Sequence, residues 1–354
     1  MIFYKLGYRT IRTAAAVMLI CCATLQTARA EQVWSIATAY PADTVAGRGI
    51  ESFAATLSKQ TGGAVTGETQ FKTKRGPTEL VSAVLDNHVQ VADVFTGALA
   101  HLDPIFELST LPFEVTSVEA SRRLTCTAEP AYRSALLRAG LHMLFISPWP
   151  PTGLWSRQPV TTVADLVNQR IRTYDDASAK VLVKLGAQAA ELPVQDIKSL
   201  LHSGQIDAVL SSGDGAVGQS LEAYLPNFSA IQYAFPLSFV VMSQSRYEAL
   251  PAKLQTQLDE AATETQRQQW TSLPIRIREN DAAMRHAGVV LNMPLDNVLK
   301  TRFREAGRSR MQDWLSRVSP EYVDIIKAFK NDDVPVAQSA CSFGLLLAKH
   351  SPHG

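Results

Sequence analysis

The chain has 354 residues, of which 46% are hydrophobic and 19% are charged, and its formal net charge at neutral pH is +1. A chain of this length can bury a large core and typically forms two domains. The composition is that of an ordinary globular protein, and the near-neutral charge argues against nucleic acid as a partner.

Residues 1–30 have the features of a secretory leader. Basic residues near the start precede an apolar stretch over residues 14–25, and Ala28-Arg29-Ala30 matches the small-residue signature of a cleavage site. A membrane anchor is the alternative, but a stretch of about a dozen apolar residues is short of the roughly 20 that span a bilayer. The sequence therefore predicts export to the periplasm, with cleavage after Ala30.

Cleavage would change both the charge and the cysteine content. It removes four basic residues and no acidic one, so the formal charge changes from +1 to −3. Only Cys126 and Cys341 then remain, and an even pair of cysteines in an oxidising compartment is a disulfide candidate. Such a bond would tie the C-terminal tail to the first domain. Two free buried thiols are the alternative.

Strands alternate with helices in the first part of the chain. Strand patterns cover residues 33–39, 65–71 and 89–95, and helical spacing covers residues 49–58 and 78–85. This alternation is typical of βαβ units, which predict a parallel sheet.

Two polar residues follow strands of this first part. Tyr40 follows the first predicted strand and Thr96 follows the third. Ligands of open α/β sheets usually bind outside the carboxyl ends of the strands, so we expect both side chains to line a pocket. A tyrosine at the edge of the core and a threonine in a turn are the alternatives.

A proline-rich segment separates the first part of the chain from the second. The strand pattern over residues 141–146 leads into Pro148-Trp149-Pro150-Pro151, which predicts a stiff extended connection between two lobes. Trp155 follows this crossing. We expect it to form an aromatic wall for a ligand or, alternatively, to lie in the core.

Arg172 is the leading candidate for a ligand contact. It lies near the end of the strand pattern over residues 169–173, where the crevice of an open sheet usually binds its ligand. A guanidinium keeps its charge and offers a planar fork that matches a carboxylate, so it is suited to an organic acid. The alternative is a surface arginine paired with Asp175 or Asp176.

The glycine-rich segment over residues 213–218 matches a dinucleotide-binding pattern. It follows the strand pattern over residues 206–210 and precedes a helical pattern. The carboxylate that such a site needs about 20 residues further on is missing, because no acidic residue occurs between Glu222 and Glu248. The segment is therefore predicted to be a turn that opens a helix.

The last part of the chain has helical patterns. An amphipathic pattern covers residues 252–270, Pro274 interrupts it, and a second helix runs to about His286. Residues 293–315 and 320–329 are predicted to form helices that pack on the second lobe.

Several segments together resemble the DctP-type solute-binding proteins of TRAP transporters, a family described as binding C4-dicarboxylates. The likeness covers most of the chain after the leader, and its specificity lies in the order and spacing of segments that are weak markers singly. The segments are Thr61-Gly62-Gly63, the Gly76/Glu79 helix, Leu111-Pro112-Phe113, Ala164-Asp165-Leu166, residues 168–172, Gly186-Ala187, Pro193 and Gly204-Gln205-Ile206-Asp207.

The resemblance implies a two-lobe, periplasmic-binding-protein-like α/β fold. Each lobe would be a mixed, mostly parallel sheet flanked by helices, and a long helix would bridge the lobes. The first lobe would comprise residues 31–149 and about 237–274, and the second would comprise residues 150–236 and about 275–330. Residues 331–354 would form a C-terminal tail. Pro274 then predicts a kink or a break in the bridging helix.

The resemblance also gives Ser211 a place in the pocket, because a polar residue commonly occupies this strand end in the family. Two departures bear on the ligand: Ala208 stands where glycine is usual, and Thr152 stands where some members carry a second arginine. Both changes leave Arg172 in place, and they leave the identity of the acid open.

Motifs of catalysis and of metal or cofactor binding do not stand out. HExxH, GxSxG and CxxC are absent, and the 7 histidines are scattered. This argues against an enzyme, and no catalytic residue, cofactor or metal is predicted. The resemblance implies an exported protein that captures a small organic acid and delivers it to the membrane subunits of a TRAP permease. A secreted hydrolase and a sensor-associated receptor without a transport role are the alternatives.

Overall fold

Two β-sheets, each flanked by helices, form the two lobes of the protein. A computed structural model describes residues 32–292 and 296–331. One sheet has five strands and the other has six. The predicted two-lobe α/β fold is thus confirmed, whereas the leader and most of the C-terminal tail lie outside the described residues. The exact lobe boundaries along the chain stay a prediction.

The first lobe is built on the five-stranded sheet, in the order β2-β1-β3-β10-β4. β1 and β3 are parallel, while β10 runs antiparallel to both of its neighbours, β3 and β4. The elements of this lobe are β1 (Gln32–Ala37), α1 (Val45–Thr61), β2 (Val65–Gln70), α2 (Pro77–Leu85), β3 (Val91–Phe95), α3 (Val118–Arg138), β4 (Leu141–Pro148), β10 (Leu237–Ser243) and α7 (Gln244–Glu248).

Local signals in the sequence explain where α1 begins and ends. The Thr44 side chain accepts a hydrogen bond from the backbone N–H of Gly47, which satisfies one free donor at the start of the helix. Gly62 has a φ of 61°, a left-handed conformation that glycine adopts easily and that closes the last turn. Both ends of α1 are therefore set by local signals in the sequence.

The second lobe is built on the six-stranded sheet, in the order β11-β9-β5-β8-β6-β7. β6 is parallel to β7 and β8, and β5 is antiparallel to β8 and β9. The elements of this lobe are β5 (Gly153–Ser156), β6 (Arg170–Thr173), α4 (Asp176–Lys184), β7 (Gln188–Glu191), α5 (Ile197–His202), β8 (Ala208–Ser211), α6 (Gly215–Glu222), β9 (Asn227–Ser229) and β11 (Val290–Asn292).

Two helices pack on the cores of both lobes. α8 (Ala252–His286) contributes Leu258 to a first-lobe core and Met284 to a second-lobe core. α9 (Asn297–Arg317) runs the other way, with Phe303 in the second lobe and Trp314 in the first. The last helix, α10 (Pro320–Lys330), packs entirely on the first-lobe core. The sequence predicted that α9 and α10 both pack on the second lobe. This prediction is wrong for the second half of α9 and for α10, because their apolar side chains complete the core of the first lobe.

α8 is continuous through Pro274, so of the predicted kink or break the break is wrong, while the kink stays a prediction. Proline removes one backbone hydrogen bond from the helix interior. Leu273 and Arg276 on either side of the turn are buried, and this packing holds the helix together across the missing bond. Within residues 32–292 and 296–331, no helix combines the length and the apolar character that a membrane span requires.

Cys126 offers a direct test of how the tail is attached. It is buried in α3 and disulfide-bonded, whereas Cys341 lies outside the described residues. We expect peptide mapping of the processed, non-reduced protein to yield one linked species containing residues 126 and 341, because leader cleavage removes the other cysteines. The reduced sample is the control, and two separately alkylated peptides in the non-reduced sample would contradict the bond.

Candidate functional site

A small cavity of about 40 Å³ lies between the two lobes and opens to solvent. Three residues predicted from the sequence, Tyr40, Arg172 and Ser211, are brought together in its wall. The full lining consists of Tyr40, Phe95, Trp149, Pro150, Thr152, Arg172, Tyr174, Val194, Ser211, Ser212 and Pro236.

Arg172 and Ser211 meet because their strands are parallel neighbours. Arg172 of β6 lies opposite Val209 of β8, and β8 ends two residues further on at Ser211. The carboxyl ends of parallel strands reach the same edge of a sheet, which is where α/β folds bind ligands. Ser212 and Thr152 add two further hydroxyl groups to this edge.

The Arg172 guanidinium is buried, and no carboxylate of the described residues pairs with it. The residue is 5% exposed. Its Nε donates to the carbonyl of Leu192 at 2.8 Å, and Nη1 donates to the carbonyl of Leu210 at 3.5 Å. Among the described residues, no acidic side chain forms an ion pair with it, and its Nη2 makes no hydrogen bond. Half of the guanidinium fork is therefore free to bind a ligand.

The neighbouring acids are engaged elsewhere, contrary to the alternative of a surface ion pair. Asp176 pairs with Lys180 at 2.6 Å, and Asp175 accepts hydrogen bonds from Ser178. Burial lowers the pKa of Arg172 to about 10, with nearby tyrosine and acidic side chains acting in the opposite direction. Arg172 is therefore positively charged at neutral pH.

Aromatic rings form much of the remaining wall. The ring centroids of Tyr40 and Trp149 are 4.7 Å apart, and those of Phe95 and Tyr174 are 5.3 Å apart in an edge-to-face arrangement. Three of these four rings were not predicted from the sequence. A signal was present for Trp149, which lies in the proline-rich crossing, and for Phe95, which ends a predicted strand.

Trp155 and Thr96 do not line the cavity. Trp155 is fully buried in the second-lobe core, and its Nε1 donates to the backbone carbonyl of Ser212 at 3.1 Å. Thr96 is fully buried and shares a hydrogen bond of 2.8 Å with Ser109. Trp155 thus occupies the core position that was its alternative, and its hydrogen bond holds the Ser212 backbone. Thr96 begins a short, buried 3-10 helix over Thr96–Leu99.

A buried carboxyl group, Asp93 in β3, lies behind the Tyr40 side of the cavity. Its Oδ1 accepts a hydrogen bond from Thr38 at 3.3 Å, and the Ser238 hydroxyl also favours its charged form. Burial outweighs both and raises the pKa of Asp93 to about 7. Burial and the Asp93 charge together raise the pKa of Tyr40, so the phenol stays protonated and can donate a hydrogen bond.

The chemistry that this cavity offers is one fixed positive charge, several hydroxyl groups and aromatic faces. In the part of the chain that the structure describes, no cluster of three or more histidine, cysteine or acidic side chains could hold a metal ion. Arg172 can bind one carboxylate, and the hydroxyls and rings can contact a neutral remainder of the same molecule.

Comparison with known proteins gives one family and many similar folds. The model of bacterial extracellular solute-binding protein, family 7 (DctP), matches residues 36–316. No curated protein matches. The solved structures named below have sequence identities of 24% or less to this chain, so their likeness shows the fold alone.

Three of these solved structures carry acids in their names. An extracytoplasmic solute receptor of Bordetella pertussis that binds pyroglutamic acid has 24% identity, a TM-score of 0.80, and coverage of 84% of this chain and 99% of that chain. A marine metagenome TRAP protein from an unidentified microbe, with co-purified pyroglutamate, has 23% identity, a TM-score of 0.80, and coverage of 85% and 99%. A Shewanella oneidensis TRAP protein with bound succinate has 16% identity, a TM-score of 0.78, and coverage of 85% and 99%.

The raised pKa of Asp93 predicts a specific pH dependence of stability. The native state keeps the Asp93 proton up to about pH 7, whereas an ordinary aspartate loses it near 3.8. Between these two pH values the native state therefore binds more protons than the unfolded chain. The stability that protonated Asp93 contributes below pH 4 is lost as the pH rises to 7. The loss corresponds to roughly 4 kcal/mol at most.

Substitution Asp93→Asn should remove this pH dependence. Denaturant unfolding between pH 4.5 and 8 should show the wild type losing stability relative to the variant as the pH rises. Asp86→Asn, at an exposed position after α2, is the control and should follow the wild type. Parallel stability curves for wild type and Asp93→Asn would contradict the assignment.

Proposed function

Because the chain belongs to the bacterial extracellular solute-binding proteins of family 7 (DctP), we propose that it captures a small organic acid outside the cytoplasm and delivers it to the membrane subunits of a TRAP permease. Cleavage after Ala30 would release the mature chain into the periplasm. The family consists of solute-binding proteins, and the acid is accordingly expected to leave the cavity chemically unchanged.

The single observation that carries this proposal is the Arg172 guanidinium. A charge that is removed from water is costly unless a partner of opposite sign replaces the lost hydration. Arg172 is buried, its Nε and Nη1 are held by backbone carbonyls, and the rest of the fork borders an open cavity. A ligand carboxylate would supply the missing negative charge with two parallel hydrogen bonds.

The lining favours an acid with one carboxylate. Arg172 is the one charged side chain among the described lining residues, and Thr152 occupies the place where some relatives carry a second arginine. A second carboxylate on the same ligand would lose its hydration without meeting a cation. Aromatic faces and hydroxyls suit a compact neutral ring or chain, and pyroglutamate, which similar proteins bind, has this chemistry.

Capture would work through closure of the two lobes. The cavity wall contains Tyr40 and Phe95 from the first lobe and Arg172 and Ser211 from the second, so an occupant contacts both. A ligand shifts the equilibrium towards the closed state only as far as it binds that state better than the open one. Contacts to both lobes, which exist only after closure, provide this difference.

A panel of acids on the processed protein tests the ligand class. Pyroglutamate and other small monocarboxylates should raise the melting temperature more than succinate, because the cavity has one cation and succinate carries two carboxylates. Pyroglutamic acid amide, which lacks the charge, is the matched control and should give no shift. Mass spectrometry of the recovered acid should show no product. A panel without any stabilising acid, or conversion of the acid to a product, would contradict the proposal.

Arg172→Ala should weaken the binding of the acid that stabilises the protein most by about 2–5 kcal/mol, because the carboxylate would be buried without a partner. Arg172→Lys should also weaken binding, since an ammonium cannot reproduce the planar fork. The measurement is isothermal titration calorimetry.

Arg170→Ala is the matched control for this experiment. Arg170 lies two residues away on β6, but it is exposed and pairs with Asp207 at 2.6 Å. Side chains two residues apart on a strand point to the same face, so Arg170 and Arg172 differ in burial and not in the face they occupy. The control should bind like the wild type, and unchanged affinity of Arg172→Ala would reject the role of Arg172.

A further inference from the structure

A second contact between the lobes lies outside the ligand cavity and is centred on Asp214. This residue belongs to the glycine-rich segment that resembles a nucleotide-binding turn, and it precedes α6 in the second lobe. It is 1% exposed. A carboxylate so completely removed from water requires strong hydrogen-bond partners, and the structure supplies three.

Two of these partners come from α8. Arg276 Nε donates to Asp214 Oδ1 at 2.6 Å, and Asn280 Nδ2 donates to the same oxygen at 3.0 Å. Arg276 is buried as well, so the ion pair is shielded from solvent. These bonds fix the Asp214 side chain against the bridging helix.

The third partner comes from the other lobe. Asp214 Oδ2 accepts a hydrogen bond from the backbone N–H of Val45 at 2.7 Å. Val45 is the first residue of α1, a 17-residue helix whose own first turn contains no acidic residue. Asp214 therefore places a negative charge at the positive end of this helix dipole from across the lobe interface. Arg276 adds a second bond across the interface, from Nη2 to the carbonyl of Asp43.

We propose that Asp214 and Arg276 form an interlobe latch, which holds the start of α1 against the second lobe and thereby tunes the affinity for a ligand that neither residue touches. Asp214 and Arg276 act as positioning residues. Neither belongs to the described lining of the ligand cavity. Opening of the lobes would separate Asp214 from Val45 and expose the ion pair to water.

Two short segments couple the latch to the cavity. In the first lobe, Tyr40 lines the cavity and Val45 lies in the latch, and the turn between them is tightened by the Thr44 side chain, which donates to the carbonyl of Pro41 at 2.7 Å. In the second lobe, Ser211 lines the cavity three residues before Asp214. A ligand that draws Tyr40 and Ser211 together therefore also brings the two halves of the latch together.

The test measures the distance between the lobes directly. Spin labels at the exposed positions Lys59 on α1 and Lys198 on α5 report the ratio of closed to open molecules, in ligand-free protein and in saturating pyroglutamate. Asp214→Asn should lower this ratio by about tenfold or more, because it leaves Arg276 buried and unpaired in the closed state. Asp207→Asn removes a more exposed ion pair within the second lobe, is the matched control, and should leave the ratio unchanged.

A double substitution separates the latch from a general loss of packing. Asp214→Asn with Arg276→Gln removes both charges, so the ratio should recover part of the loss seen for Asp214→Asn alone. The latch is overturned if the wild type has no closed fraction in either condition, if Asp214→Asn and Asp207→Asn give the same ratio, or if the double variant shows no recovery. The ligand-free measurement tests the latch without any acid. Its failure would leave the proposed function standing, and only the panel of acids can reject that function.

Discussion

The cost of keeping an arginine out of water is the physical constraint around which this structure is arranged. Arg172 is almost fully buried, and two backbone carbonyls satisfy only part of its guanidinium. Burial lowers its pKa to about 10, which is too small a change to remove its charge at neutral pH. A positive charge therefore remains beside a cavity in which no other described lining residue is charged. Such a site is incomplete until an anion enters it.

The two sheets and the helices that join them explain how such a site can be filled and emptied. Parallel pairing of β6 and β8 places Arg172 and Ser211 at one edge of the second sheet. The first lobe contributes Tyr40 and Phe95 to the opposite wall. α8 and α9 pack on both lobes and would keep them connected during opening. The proposed interlobe latch lies on the same short segments as the cavity, and this position would link ligand binding to closure.

Local patterns in the sequence were sufficient for the strand ends but not for the directions of side chains. Arg172 and Ser211 were found because they lie at strand ends, and Tyr40 because it follows a strand; the carboxyl ends of strands in α/β sheets meet at one edge. From the sequence, Trp155 was predicted to line the cavity and Trp149 was not. Which of the two tryptophans lines the cavity depends on the register of the strands in the sheet. Trp155 pairs with Val209 and Phe228 inside the sheet, where its ring joins the core.

Features that depend on contacts between distant segments were also beyond the sequence. Pro274 is a local signal for a helix break, but burial on both sides keeps α8 continuous. α10 packs on the first lobe because Phe329 completes a core formed by residues more than 180 positions earlier, such as Tyr132. The glycine-rich segment opens α6 as predicted, yet the contact of Asp214 with α1 required the folded chain.

The central claim is that Arg172 binds the carboxylate of the captured acid. A crystal structure of the processed protein with the acid that stabilises it most tests this claim directly. We predict a carboxylate at hydrogen-bond distance from the Arg172 guanidinium, with Tyr40 and Ser211 both contacting the same molecule. An acid bound elsewhere, with Arg172 turned towards bulk solvent, would contradict it.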